Sequence, residues 1–227
     1  MIDCVVPAAG EGSRFTGEGR RFGGEPDAGA TVKVVALFER RPLLLHVIER
    51  VLAVCDRCIV VTGAHREAVE RVVEAARRSL QPGSRRNLLT VHNPDWREGM
   101  ISSIAAGAAR VRTPWFFVAP ADMPRLPVEV FRTLLSHADI HGGREPDDAA
   151  LIRSIAPRYR EQPGHPVLVS TALREELLAE YRRFRSMREF LRQYPREEIP
   201  VDDPGTVFDV DLPGDLAQEA RVHDNSE

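Results

Sequence analysis

Residues equipped for chemistry fall at intervals along the chain, and the first group lies near its start. Val5-Val6-Pro7-Ala8-Ala9-Gly10-Glu11-Gly12-Ser13-Arg14 reads as a strand that ends in small residues and opens into a Gly-x-Gly turn. Glycine lets the backbone come close to a ligand and leaves several amides aimed at one anion, so such a turn suits phosphate. Arg14 and Lys33 add cations able to neutralise charge that builds up on a phosphoryl group in transfer. The plainer reading is a surface turn with two ordinary charged residues. A dinucleotide fingerprint would want a third glycine where Phe15 stands, and a Walker loop would want Gly-Lys-Ser/Thr, so neither fits.

Carboxylates form the second group. Ala119-Pro120-Ala121-Asp122-Met123-Pro124 puts an aspartate just past a buried strand, where open α/β sheets bind their ligands. Asp209-Val210-Asp211 closes another strand-like segment, ahead of a last helix from Leu212-Pro213-Gly214-Asp215, and sets alternate carboxylates on one strand face. Magnesium asks for one or two carboxylates beside phosphate and water, so Asp122 with either Asp209 or Asp211 would suffice if folded together. Taken singly, Asp122 caps a turn and Asp211 a helix. Between the two groups, Gly99 permits a close backbone approach. Ser102 and Ser103 stand at a helix start, where hydroxyls either cap the helix or bond a base or ribose.

The elements that must position these residues are read from periodicity. Short β-branched runs alternate with helical patterns, which predicts an α/β class with a largely parallel sheet covered on both faces. Strands are expected at Cys4 to Pro7, Ile59 to Thr62, Leu88 to His92 and Trp115 to Ala119, with weaker ones near Leu151 to Ser154, Pro166 to Val169 and Val207 to Val210. Helices are expected at Leu43 to Val54, Glu67 to Leu80, Ile101 to Val111, Val128 to His137 and Ala172 to Tyr181, and another opens with the capping box Ser186-Met187-Arg188-Glu189. The chain reads as one domain over residues 1–221, with a glycine-rich insert loop at 16–31, a second loop from Gly142 to Asp148 and a disordered tail at 222–227.

Composition sets bounds on partners. Thirty-one basic against 34 acidic side chains give a net charge of -3 over 227 residues, which leaves no electrostatic footprint for nucleic acid. No apolar run is long enough to cross a bilayer and no secretory leader is visible, so a soluble, cytoplasmic protein is expected. Cys55-Asp56-Arg57-Cys58 follows a helix and enters a strand, which favours buried structural thiols over a zinc or redox motif. The arginine clusters at Arg77, Arg78, Arg85 and Arg86, and at Arg182, Arg183 and Arg185, read as solvated helix faces rather than as a dock for an acidic protein.

Taken in order, several motifs resemble those of the MobA/MocA-like nucleotidyltransferases, and specifically the molybdenum-cofactor cytidylyltransferases. They are Ala8-Ala9-Gly10-x-Gly12-x-Arg14, Lys33, Arg41-Pro42-Leu43-Leu44, the block from Asn93-Pro94-Asp95-Trp96 through Gly99-Met100 to Ser102-Ser103-Ile104, Ala121-Asp122-Met123-Pro124, Gly164-His165-Pro166-Val167-Leu168 and Asp209-x-Asp211-x-Pro213-x-Asp215. The Asn-Pro-x-Trp-x-x-Gly-Met-x-x-Ser block is the most specific of them. The resemblance implies a three-layer α/β/α, Rossmann-like (GT-A-like) nucleotidyltransferase domain with a mostly parallel, mixed sheet. It implies that a terminal phosphate on molybdopterin attacks the α-phosphorus of CTP with Mg2+ as cofactor. In that picture Ala8, Ala9, Gly10 and Gly12 offer the nucleotide cradle, Arg14 and Lys33 clamp the triphosphate, and Gly99, Ser102 and Ser103 read base or ribose. Asp122 and Asp211 carry the metal, with Asp122, Lys33 and Arg14 as catalytic residues. Gly164 and His165 lie on the acceptor side, His165 being equally an ordinary turn residue. Transient docking to a molybdoenzyme or its chaperone is also implied.

Relatives that use GTP tend to show Ala-Gly-Gly in the first loop and those that use CTP Ala-Ala-Gly, so Ala9 points to CTP. The stretch from Arg14 to Lys33 is longer than the family's compact loop, and if the insert does not fold away, Arg20 or Arg21 would replace Lys33. Val-Val-Pro-Ala-Ala-Gly is also similar to the start of methylerythritol-phosphate cytidylyltransferases, but their Asp-Ala-Ala-Arg-Pro segment is replaced here by Ala121-Asp122-Met123-Pro124. A catalytically silent nucleotide-binding or chaperone-like module is the alternative from another class.

Overall fold

The computed structural model describes residues 1–12, 32–141 and 152–211. The expected insert at 16–31, the loop from Gly142 to Asp148, the helix from Leu212, the tail and Arg14 lie outside the described residues. In chain order the strands are β1 (Asp3–Ala8), β2 (Leu37–Phe38), β3 (Arg41–Pro42), β4 (Arg57–Thr62), β5 (Leu88–His92), β6 (Trp115–Val118), β7 (Ser154–Tyr159), β8 (Gln162–Pro163), β9 (Val167–Ser170) and β10 (Arg196–Val201). The α-helices are α1 (Leu43–Leu52), α2 (Arg66–Ser79), α3 (Met100–Ala108), α4 (Val128–His141), α5 (Arg174–Glu180) and α6 (Met187–Leu191).

An eight-stranded mixed sheet runs in the order β10-β7-β9-β6-β1-β4-β5, with β8 paired to β7. β1 pairs parallel with both β4 and β6, and β5 pairs parallel with β4. β9 lies antiparallel between β6 and β7, and β10 is parallel to β7. Strands in the middle of such a sheet are buried on both faces and read as unbroken apolar runs. That is the case for Cys4-Val5-Val6 and Cys58-Ile59-Val60-Val61, all of which are buried.

Alternation along these strands divides the core in two. Cys4, Val6, Cys58, Val60 and Phe117 pack with Leu44, Val47, Ile48 and Val51 of α1, Val69 and Val73 of α2, and Phe131 and Leu134 of α4. Val5, Ile59, Val61, Phe116 and Val118 face the other way, against Ile101 and Ile104 of α3, Leu177 of α5 and Phe190 of α6. Helices therefore cover both faces, giving the three-layer α/β/α arrangement with a mostly parallel sheet.

Central strands fall within a residue or two of expectation, whereas the far edge departs from it. β7 starts where the expected strand from Leu151 to Ser154 ends, and β10 was not anticipated, because Arg196-Glu197-Glu198-Ile199-Pro200-Val201 carries charge and a proline. Those are edge-strand features, and β10 is the edge. The strand expected over Val207 to Val210 does not form: Pro204–Thr206 make a single 3-10 turn, and the Val210 amide donates to the Asp122 carbonyl at 3.1 Å.

The three cysteines are free and buried, as structural thiols should be. Burial pushes the Cys4 and Cys58 thiols up, which keeps them protonated and unreactive. Of the arginine clusters, Arg77 turns inward to the Leu88 carbonyl and Thr90 hydroxyl, Arg182 pairs with Asp95 and Glu98, and Arg183 pairs with Glu180. Among the described residues, no helix is long and apolar enough to cross a membrane.

Candidate functional site

Chain order proceeds from β1 outward to β4 and β5, then returns across β1 to β6. Loops leaving β1 and β6 therefore diverge at their carboxyl ends, and a crevice at such a switch point is where an open sheet binds ligands. A cavity of about 760 Å³ opens there, lined by Pro7, Ala9, Gly10, Glu11 and Gly12 after β1, by Lys33, by Trp96, Arg97, Gly99, Met100 and Ser103, and by Asp122, Asp209 and Asp211.

The glycine turn is fixed by its neighbours. Beyond β4, Gly63 lies so close to the turn that an added Cβ would stand 2.6 Å from the Ala9 carbonyl oxygen and 2.7 Å from Cβ of Trp96. The Ala64 amide donates to that same Ala9 carbonyl at 3.0 Å. Only glycine lets the first loop, the end of β4 and the Trp96 segment converge. Ala8 is buried within β1 and holds the strand in register with Thr62, while Ala9, Gly10 and Gly12 face the cavity.

Lys33 sits at the chemical centre. Its Nζ donates to Asp122 Oδ2 and to Asp211 Oδ1, each at 2.7 Å. The long stretch between Arg14 and Lys33 therefore does not keep Lys33 from these two carboxylates. Burial acts to lower the Lys33 pKa, but the two carboxylates outweigh it and hold the ammonium above its ordinary value. Asp209 lines the same cavity, where burial, then the charges of Asp211 and Asp122, raise its carboxyl.

One ammonium bonding both carboxylates marks a point that a single cation can share between Asp122 and Asp211. Among the described residues no set of three or more His, Cys, Asp and Glu converges on a metal. An ion held by Asp122 and Asp211 would complete its shell with phosphate and water, which fits the oxygen preference and reluctant dehydration of Mg2+.

The Asn93 to Ser103 block forms the opposite wall. Trp96–Glu98 make a 3-10 turn that ends at Gly99, whose φ of 97° is a conformation that glycine alone adopts freely. Buried Asn93 donates to the hydroxyls of Ser102 at 2.9 Å and Ser103 at 3.0 Å, and Ser102 in turn donates to the carbonyls of Asp95 and Gly99. Ser103 reaches the cavity. Ser102 does not line it; its buried hydroxyl ties the loop to the start of α3. Trp96, with the Arg97 guanidinium 4.2 Å from its ring centroid, faces the cavity too. Trp96, Asn93 and Gly63 were not marked from sequence as site residues. The motif block held the first two, but nothing in their spacing shows that Asn93 faces the serines.

Gly164 and His165 are set apart from these residues, in a second cavity of about 260 Å³ that shares Met100 with the first. Burial lowers His165 to about 4, against the opposing pull of Asp122 and the Val118 carbonyl, and its Nδ1 is buried without a partner.

The family model for the MobA-like NTP transferase domain matches residues 4–199. The chain is 26% identical over 216 residues to the molybdenum cofactor cytidylyltransferase of Escherichia coli (strain K12), covering 95% of this chain and 93% of that one. It is 33% identical over 216 residues to the nicotine blue oxidoreductase of Paenarthrobacter nicotinovorans, covering 93% and 96%. In fold it is similar to the manganese complex of Rv0371C from Mycobacterium tuberculosis H37Rv, with a TM-score of 0.58 at 18% identity over 89% of this chain and 88% of that one.

Proposed function

The chain belongs to the MobA-like NTP transferase family and is a nucleotidyltransferase, and from that premise we propose that it transfers CMP from CTP to the phosphate of molybdopterin, with Mg2+ and with release of pyrophosphate. The observation that carries the reading is Lys33 bonded to both Asp122 and Asp211 inside a cavity walled by the glycine turn. A lysine and two carboxylates around one point are the groups phosphoryl transfer requires.

Amides of Gly10 and Gly12 face the triphosphate. An oxygen of the acceptor phosphate attacks the α-phosphorus, a new phosphorus–oxygen bond forms, and the bond to the bridging oxygen of pyrophosphate breaks as that oxygen takes the electron pair. Asp122 and Asp211 would hold the metal, which when bound neutralises charge on the phosphates and polarises them. Were Asp122 and Asp211 to hold such an ion, the Lys33 ammonium, 2.7 Å from each carboxylate here, would be free to contact the phosphate oxygens. Ser103 and Trp96 flank the position open to ribose and base, and Ala9 supports CTP over GTP. Arg14, outside the described residues, is the further triphosphate clamp.

The relative named nicotine blue oxidoreductase raises hydride transfer as a second reading on this fold. Hydride transfer has no use for two carboxylates sharing one cation, which favours nucleotidyl transfer. Pyrophosphate release from CTP, magnesium and molybdopterin tests the choice, with GTP and a reduced nicotinamide in parallel. Transfer should occur with CTP, fall about a thousandfold in Asp122→Ala, and leave the melting midpoint nearly unchanged. Oxidation of the nicotinamide without pyrophosphate release would overturn the proposal, and full activity in Asp122→Ala would remove the metal assignment.

A further inference from the structure

His65 takes no part in the proposed transfer, yet its ring reaches the glycine turn. It stands just ahead of α2, where a polar side chain ordinarily turns back to bond a free amide of the first helical turn. The His65 ring makes no such cap. It extends instead to the Glu11 carbonyl, 54 residues away in sequence, with Nε2 at 3.2 Å. A carbonyl oxygen only accepts, so Nε2 carries the proton and donates.

What that bond fixes follows from peptide geometry. A trans peptide unit is planar, and its C=O and N–H point in opposite directions. With the Glu11 carbonyl turned to His65, the Gly12 amide of the same unit is turned away from it, and Gly12 lines the first cavity. The Ala9 carbonyl is held in the same manner by the Ala64 amide at 3.0 Å, which turns the Gly10 amide the other way. Two consecutive residues after β4 thus hold alternate carbonyls of the turn. The amides of Gly10 and Gly12 are left without a partner among the described residues. Successive amides left open in this way form a concavity suited to an anion.

The two bonds differ in kind. Ala64 bonds Ala9 through its main chain, and Gly63 is packed against the same carbonyl, so the first peptide unit has little freedom. The second unit ends at Gly12, whose φ of 66° lies in the left-handed region that glycine enters without steric penalty. A unit flanked by glycine turns over at low cost, and among the described residues the His65 side chain is what holds it.

We infer that His65 is a positioning residue for nucleotide phosphate: by bonding the Glu11 carbonyl it keeps the Gly12 amide aimed into the first cavity. The inference rests on the nucleotidyl-transfer reading for the molecule that carries the phosphate, but phosphate binding is measured separately from transfer.

Calorimetric titration of the full chain with inorganic tripolyphosphate, and separately with CTP, each with magnesium, tests it beside the melting midpoint. His65→Phe keeps a ring but cannot donate, and should bind both about tenfold more weakly than wild type, the upper end for one lost hydrogen bond. His65→Gln, whose Nε2 amide reaches close to the place of the imidazole Nε2, should recover most of that loss, and both variants should melt close to wild type. Unchanged affinity in His65→Phe overturns the inference, whether or not its melting midpoint falls, and so does equal weakening in the two variants. Absence of tripolyphosphate binding by wild type overturns the glycine turn as a phosphate site and the role of His65 with it. Tripolyphosphate binding that depends on His65 as described, without pyrophosphate release from CTP and acceptor, would instead sink the proposed transfer and leave the role of His65 standing.

Discussion

Lys33 is the residue on which the site turns, and it owes its position to two carboxylates supplied from distant points of the chain. Its type and neighbours alone suggested a phosphate contact; its pairing with Asp122 and Asp211 could be learned only from the folded chain. His165 shows the same limit from the other side, since a histidine in a Gly-His-Pro turn carries no sign of burial. Its depressed value has a consequence for stability. Folded His165 titrates near 4 and an ordinary histidine near 6.5, so between these values the unfolded chain binds a proton that the folded chain does not. The stabilisation is complete above pH 6.5 and is lost as pH falls towards 4, by roughly 3 kcal/mol at most. Urea unfolding of wild type and His165→Phe at pH 7.5, 6.0 and 4.5 should show the wild type losing more stability than the variant across that range. Parallel losses would mean that His165 is not held neutral by the fold.

At the scale of elements, the binding crevice is made by the loops at the carboxyl ends of β1, β4, β5 and β6, and Gly63 lets these segments meet. Gly63→Ala places a methyl within 2.7 Å of both Ala9 and Trp96, an overlap that costs about 1–3 kcal/mol in displaced backbone. Because the displaced parts are the phosphate turn and the Trp96 wall, CTP affinity should fall roughly tenfold or more, the factor that corresponds to about 1.4 kcal/mol. Calorimetric titration with magnesium checks this, and unchanged affinity would show that the Ala9 turn does not contact nucleotide. The central strands were legible because burial on both faces leaves continuous apolar runs. β10 was not, since its edge position is served by the charges and proline that also mark loops. Asp209 and Asp211 reach the cavity without the strand that periodicity suggested, carried instead by the backbone link from Val210 to Asp122.

Across the whole molecule, the first cavity and a buried ion pair lie at opposite ends of the sheet. At the amino ends of the central strands, the carboxylate of Asp3, 1% exposed, receives a bidentate contact from Arg57 and a hydrogen bond from the Arg112 amide, while the Asp3 backbone amide donates to the Thr113 hydroxyl. Removing one partner of a buried pair strands the other charge, so Asp3→Ala should cost about 3–5 kcal/mol, read as a lowered urea midpoint. β1 runs from Asp3 to Ala8, which at about 3.3 Å per residue puts the change roughly 15 Å or more from the first cavity. Transfer measured well below the melting temperature should therefore persist, and a proportionate loss of activity would show that the two ends are coupled.

By itself the sequence determined the α/β class, the central strands, the family and most of the residues that line the first cavity, because burial periodicity and short motifs are local properties. Tertiary structure decided that Lys33 bridges Asp122 and Asp211, that Ser102 braces a loop rather than lining the cavity, and that His165 belongs to a separate cavity. Each of these is a contact between residues far apart in the chain or a difference in burial between neighbours. Such outcomes depend on which loops the order of strands brings together, and spacing along one chain does not encode that.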